Sequence, residues 1–187
     1  AVAQRLSGRV ALIDRAPIGA GVTSACGAPV SIVRAMGAED SIQQVHDRLV
    51  LHTSRSKTIW PIPEPFCTFD YERFCRLAFE QTRAEFIQAS VLGRDGTVVY
   101  TSEGALEGRF LVDATGWRAA LTGSPSRSSV KHRWMAFGIE SEVETEFDPG
   151  LHFYFLPEVR DGYAWAFPSG GGVRGGPASR GAAPVPR

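Results

Sequence analysis

The sequence contains no apolar run approaching the ~20 residues that a membrane-spanning helix needs. Its opening, Ala1-Val2-Ala3-Gln4-Arg5-Leu6, lacks the basic stretch and long apolar core of a secretory signal. Cysteine is scarce. Cys26, Cys67 and Cys75 are odd in number and form no CxxC pair, which argues against a disulfide framework or a thiolate zinc site. A reducing, cytoplasmic setting follows as the expectation. Excess charge is also missing, because 20 Lys and Arg balance 20 Asp and Glu. A neutral chain has no electrostatic reason to seek nucleic acid or an anionic membrane. His46, His52, His132 and His152 lack metal-ligand spacing, so hydrogen-bonded or surface roles are expected of them. No serine-centred elbow and no convincing carboxylate pair is present.

What is present is patterned. Residues 1–7 read as the end of a helix, with Gly8 as its stop. Val10-Ala11-Leu12-Ile13 is a short apolar run ending in Asp14, the pattern of a parallel strand buried on both faces. Residues 17–29 are loop-like, with Gly19, Gly21 and Gly27 among small residues. Short helices are expected over 30–36 and 40–46. Apolar runs at 49–53 and 58–60 flank Ser54 to Lys57, a hairpin signal. Pro61, Pro63 and Pro65 are expected to break regular structure after it.

Asp70 to Arg83 is the strongest helix pattern, with Phe74, Leu77, Ala78 and Gln81 on one face and Asp70 as N-cap. Residues 85–87 and 91–92 read as strand. A meander then turns at Asp95-Gly96 and Glu103-Gly104. Phe110-Leu111-Val112-Asp113 repeats the buried-strand pattern and runs into Ala114-Thr115-Gly116. Three aromatic strands are expected at 134–146, 151–155 and 163–167, as an antiparallel layer. From Gly170 to Arg187 the chain is Gly, Pro, Ala, Ser and Arg with few large apolars. It is expected to be a disordered tail, and its abrupt change of character suggests a frameshift.

Each candidate for chemistry has a bland alternative. Asp14 ends a strand where a dinucleotide-binding unit puts the carboxylate that accepts from ribose hydroxyls; apolar runs ending in Asp are also common. Arg15 beside it faces a phosphate or solvent. Cys26 and Gly27, after Ser24-Ala25, sit in a small-residue loop that would let a cofactor approach the backbone, or Cys26 is a buried inert thiol. Asp113 to Gly116 end a strand either beside a dinucleotide or at an ordinary turn. Alternation puts Tyr163, Trp165 and Phe167 on one face. That face, which Phe153 and Phe155 are expected to join, packs over a flat ring or an apolar substrate, or it simply lines a core.

In order, Arg9-Val-Ala-Leu-Ile-Asp-Arg15, Ser24-Ala-Cys-Gly27, Thr68-Phe-Asp-Tyr-Glu-Arg-Phe74, Phe110-Leu-Val-Asp-Ala-Thr-Gly-Trp117 and Gly162-Tyr-Ala-Trp-Ala-Phe-Pro168 resemble the geranylgeranyl-reductase-like flavoproteins of the aromatic-hydroxylase-fold superfamily. The resemblance covers about residues 1–170. It implies an α/β chain: an incomplete Rossmann-like FAD-binding domain (1–47 and 68–125) and an antiparallel β substrate-binding sheet (48–67 and 130–169), followed by the tail. By resemblance, Asp14, Arg15, Cys26, Gly27, Asp113, Ala114, Thr115 and Gly116 bind the cofactor. Tyr163, Trp165, Phe167 and Pro168 line the substrate cavity. The implied cofactor is FAD, with NAD(P)H or another electron donor. The implied partner is a small apolar substrate, isoprenoid being one option, to be reduced or hydroxylated. The parent would be cytoplasmic or peripheral to a membrane.

The chain departs from that pattern in three ways. It has no GxGxxG before Asp14, Tyr71 stands where many relatives carry Arg, and no Gly-Asp motif follows Gly170. The expectation is therefore a chain truncated at both ends, whose 187 residues hold FAD poorly. Backbone donors at a glycine-rich turn supply several charge-assisted contacts, each worth roughly 1.5–3 kcal/mol. Two other readings stand beside the flavoenzyme: a non-catalytic truncated or pseudogene product, and an apolar-ligand-binding module.

Overall fold

The computed structural model describes residues 2–21, 25–116, 119–122 and 136–180. Ser24, Trp117, His132 and the first part of the expected strand at 134–146 lie outside them, as do residues 181–187. Two compact units form, one from Ala1–Gly21 and Thr82–Lys131, the other from Val22–Gln81 and His132–Arg187. Elements are numbered in chain order.

In the first unit, α1 (Val2–Arg5) leads to β1 (Ala11–Asp14), which pairs in parallel with β5 (Glu85–Gln88). Gly8 carries the chain between them at φ +109°, left-handed backbone suited to a residue without Cβ. The amides of Glu85 and Ala89 bond the carbonyls of Val10 and Asp14, each at 2.8 Å, and extend the ladder past both strand ends. A meander follows: β6 (Val91–Asp95), β7 (Val98–Thr101) and β8 (Gly104–Glu107), with Val99 and Thr101 buried.

Two expectations fail in this unit. The strand ending at Asp14 is not buried on both faces, and Leu12 is 38% exposed, because β1 has a single partner strand among the described residues. Residues 110–113 form no strand. Phe110 is 81% and Val112 63% exposed. An apolar run becomes a strand only where a neighbour completes its ladder, and none of the described strands pairs with it.

The second unit is one eight-stranded sheet with helices on it. It contains β2 (Gly27–Pro29), α2 (Val30–Ala35), β3 (Ile42–Thr53), β4 (Lys57–Phe69) and α3 (Tyr71–Glu80). It is completed by β9 (Ala136–Gly138), β10 (Ser141–Glu144), β11 (Leu151–Phe155), β12 (Gly162–Ser169) and β13 (Gly172–Arg180). The order is β10-β13-β12-β11-β3-β4-β2, with β9 also on β13. All pairs are antiparallel except β11 with β3. Residues 22–47 and 68–81, assigned by resemblance to the flavin part, cluster with this sheet.

The hairpin at 49–60 forms and is longer than its apolar runs. Three expectations change here. The helix over 40–46 shrinks to one 3-10 turn at Glu39–Ser41, after which Ile42 enters β3 because its partners on β4 are in register. The prolines do not break β4. Among the described residues β2 reaches only Phe66 to Thr68, and residues 62–65, Pro63 and Pro65 included, fall in the register shift between His46/Phe66 and Arg48/Pro61, where β3 pairs with none of them. The tail is the largest correction. Residues 172–180 form β13, between β12 and β10. Small residues suit that place: a Cβ on Gly175 would come within 2.4 Å of the Trp165 carbonyl. Backbone ladders on both sides order a segment too poor in apolar side chains to order itself.

α3 follows β4 directly. Asp70 caps it, accepting from the Arg73 amide at 2.8 Å. Its Tyr71, Phe74 and Leu77 pack on a cluster of Cys26, Val30, Val33, Ala38, Cys67 and Phe69. The apolar spacing of the helix thus faces that buried cluster.

Candidate functional site

Asp14 stands at the carboxyl end of the parallel β1/β5 pair, opposite Gln88, and is exposed. Carboxyl ends of parallel strands are where open α/β sheets bind ligands. One carboxylate oxygen, Oδ1, accepts from the Ala16 amide at 2.9 Å, which closes the turn and orients the group. Two ribose hydroxyls could donate to such a group. Arg15 is exposed, and its carbonyl accepts from Gln88 Nε2 at 3.4 Å. These residues fit the adenosine end of an FAD. No GxGxxG precedes Asp14, and the one such spacing, Gly170 to Gly175, runs into β13 of the other unit.

Asp113 is occupied otherwise. Its Oδ1 accepts from the Thr115 amide at 3.0 Å and from Thr115 Oγ1 at 2.6 Å, and its Oδ2 from the Leu121 amide at 3.0 Å. The Thr115 hydroxyl, foremost, holds its carboxyl below the usual value. Asp113 therefore folds the turn, and Ala114 and Gly116, both exposed, leave only backbone for a ligand. Gly116, at φ +68°, permits that turn. A shallow cleft of about 350 Å³ beside it is lined by Arg94, Thr97, Arg109, Leu111 and Asp113.

In the second unit the aromatic face assembles as alternation predicts. Phe153 lies opposite Trp165. Its ring meets Phe167 edge-on at 5.2 Å and Tyr163 at 5.7 Å. Phe155 and Trp165 reach Tyr163 at 6.0 and 6.3 Å. Phe167 is 7% exposed, while Tyr163 and Phe155 are 38% and 48% exposed. One end of the wall is core and the other is open. Pro168 is buried, with its carbonyl bonded by Thr68 Oγ1 at 2.7 Å.

Cys26 and Gly27 join the buried end. Gly27 sits against Phe167: a Cβ there would be 3.8 Å from the ring. Cys26 is fully buried, with left-handed backbone at φ +51°, rare for a residue with a Cβ. Burial pushes its thiol up to about 11, with the Arg174 guanidinium pulling the other way. A thiol so protonated is no nucleophile. Arg174, opposite Phe167 on β13, is 8% exposed and ion-paired to Glu142 at 2.9 Å and Glu140 at 3.5 Å. Burial raises the Glu140 carboxyl, partly offset by Arg174.

Sequence reasoning missed Arg174, because it lies in the stretch expected to be disordered. Three histidines take the hydrogen-bonded role expected of them, with partners that the sequence does not name: His46, His52 and His152 are buried or half-buried and bonded far along the chain. Their spacing carries no signal, since strand register alone brings them together.

No protein-family profile matches the chain. No curated protein matches it in sequence. Solved structures do. A geranylgeranyl bacteriochlorophyll reductase-like protein from Thermoplasma acidophilum superposes with TM-score 0.73 at 15% identity, over 92% of this chain and 50% of that one. A probable FAD-dependent monooxygenase from Pseudomonas aeruginosa gives 0.65 at 15%, over 92% and 54%. A protein solved in complex with FAD, CtdE, gives 0.61 at 12%, over 96% and 55%. Over its length the chain shares its fold with these proteins, two of which are named for FAD, and it spans about half the length of each. Among the described residues no helix is long and apolar enough to cross a membrane.

Proposed function

We propose that this chain is part of an FAD-dependent oxidoreductase acting on a small apolar substrate. The observation that carries the reading is Asp14, an oriented, exposed carboxylate at the carboxyl end of a parallel strand pair, within a fold shared with FAD-dependent enzymes. Its unshared lone pairs suit the ribose of the adenosine half. Arg15 and the backbone of Asp113, Ala114, Thr115 and Gly116 are the further cofactor contacts within the same unit; Cys26, fully buried, packs its own loop, and only the exposed backbone of Gly27 beside it is open to a ligand. Tyr163, Trp165, Phe167 and Pro168 offer the substrate an apolar wall that graduates from buried to open.

Bound FAD, once reduced by NAD(P)H or another donor, would supply hydride to a substrate double bond or activate oxygen. The chain's own residues bind, orient and exclude water. An isoprenoid matches the apolar wall and the likeness to a reductase-like protein; an aromatic substrate matches the same wall and the likeness to a monooxygenase. The Asp113 side chain, already bonded three times, contributes by shaping its turn rather than by touching the cofactor.

The test is FAD binding followed by flavin fluorescence, with Asp14→Ala beside the parent sequence. Loss of a charge-assisted contact of roughly 1.5–3 kcal/mol should weaken binding about ten- to hundredfold. Equal affinity of the two would remove Asp14 from the site and the reading with it. Uptake of an apolar ligand on the aromatic face with no flavin affinity at all would favour a simple binding module instead.

A further inference from the structure

The eight-stranded sheet is assembled from two stretches far apart in sequence. One is β2 to β4, the other β9 to β13. Among the described residues, their main-chain ladders meet only where β11 lies parallel to β3, pairing Leu151 to Phe155 with Leu49 to Thr53. Gly150 opens this seam at φ +112°. A Cβ there would press on Val50 Cγ2 at 3.0 Å and the Arg48 carbonyl at 3.3 Å.

Histidines cross the seam. His152 is 2% exposed, and its Nε2 lies 3.1 Å from the Asp148 carbonyl. A carbonyl only accepts, so Nε2 carries the proton and Nδ1 is a bare lone pair. That Nδ1 lies 3.0 Å from His52 Nε2, so His52 must donate there. The geometry thus specifies both tautomers. The rings are stacked with Tyr154, His52 to Tyr154 at 4.3 Å, and Phe147 meets His152 edge-on at 4.9 Å. At the other end of the contact between the two stretches, His46 Nε2 reaches the Pro168 carbonyl at 3.2 Å.

We propose that the His52–His152 hydrogen bond is an acid-operated latch on this seam, closed while the pair holds at most one extra proton and opened by the second. The first proton can enter at His52 Nδ1 without disturbing either bond. The second must enter at His152 Nδ1, where it meets the His52 N–H at a separation that only a donor–acceptor pair tolerates. The charged groups facing the pair are Lys57 on β4, opposite His52, and Asp148 before β11; these two pair with each other at 3.3 Å. Tyr154 is the remaining titratable neighbour. His46, lowered foremost by burial, also feels the charges of Asp47 and His152.

Burial lowers the affinity of His152 for a proton, as does His52, against the Asp148 carbonyl that raises it. His52 is lowered by burial and Lys57, against Asp148. Both folded values therefore lie below those of the unfolded chain. The stabilisation is complete above the ordinary histidine value of about 6.5 and is lost as pH falls through it toward the folded values.

The experiment uses the full chain and needs no flavin, so its outcome is independent of the proposed function. Nitrogen-15 spectra of the histidine rings at pH 7.5 should show Nε2–H on both His52 and His152. Between pH 7.5 and 5.0, amide protection across β3/β11, corrected for intrinsic exchange, should fall about tenfold or more relative to β12/β13. His52→Gln should flatten that fall, because an amide can turn its N–H or its oxygen toward His152. An Nδ1–H tautomer on His152, ordinary titration of both rings, or an undiminished fall in the variant would each overturn the latch. Should His52→Gln fail to fold, the wild-type tautomers and titration decide alone.

Discussion

Thr68 Oγ1 donates a 2.7 Å hydrogen bond to the carbonyl of Pro168, one hundred positions away. Both residues are buried, and His46 Nε2 lies 3.2 Å from the same oxygen. The hydroxyl and the ring together satisfy a carbonyl that water cannot reach, and they tie the last turn of β4 to the end of β12. Buried acceptors of this kind are costly to strand.

Thr68→Val tests that tie with almost no change of shape. The carbonyl keeps His46 as its donor, so the expected loss is about 1–2 kcal/mol. Urea unfolding followed by tryptophan fluorescence reads it as a lower midpoint at unchanged slope. An unchanged midpoint would mean that the bond contributes nothing net.

The aromatic face should behave as two regions. Phe167 is 7% exposed and packed edge-on against Phe153, so Phe167→Ala should cost about 3–5 kcal/mol. Phe155 is 48% exposed, so Phe155→Ala should cost under about 1 kcal/mol. Paired unfolding curves check the contrast. Similar losses at both positions would show that the wall is uniformly core and that no part of it is open to a ligand.

Thiol reactivity should follow burial. Cys26 and Cys67 are fully buried, with Cys26 raised to about 11, whereas Cys75 is half-buried. A chromogenic disulfide reagent at pH 8 should label at most Cys75 in the native chain and all three in urea. Rapid native labelling of Cys26, located by peptide mapping, would contradict the packing of its loop between Phe167 and Arg174.

Legibility tracked the range of the interactions. Asp70 was readable as a cap because its partner, Arg73, is three residues away. The 49–60 hairpin and the meander turns at Gly96 and Gly104 were readable because a short turn fixes register locally. The shared face of Phe153, Phe155, Tyr163, Trp165 and Phe167 followed from period-two alternation. The run at 110–113 carried an equally clear strand pattern and forms none. Pattern reports what a segment would bury given a neighbour, and not whether the neighbour exists. The strand at 172–180 failed in the opposite sense, since its order comes from ladders to β12 and β10 and from none of its own side chains.

The order of apolar runs, turns and caps along the chain determined, unaided, the elements from 70 to 101 and the composition of the aromatic wall, because those depend on forces acting over a few residues. Tertiary structure alone decided that β3 and β11 lie side by side, that Arg174 meets Cys26, and that His52 donates to His152. Each of these depends on the packing of segments a hundred or more residues apart. Closing so long a loop leaves no trace in local spacing, and only the finished sheet specifies which side chains then share a face.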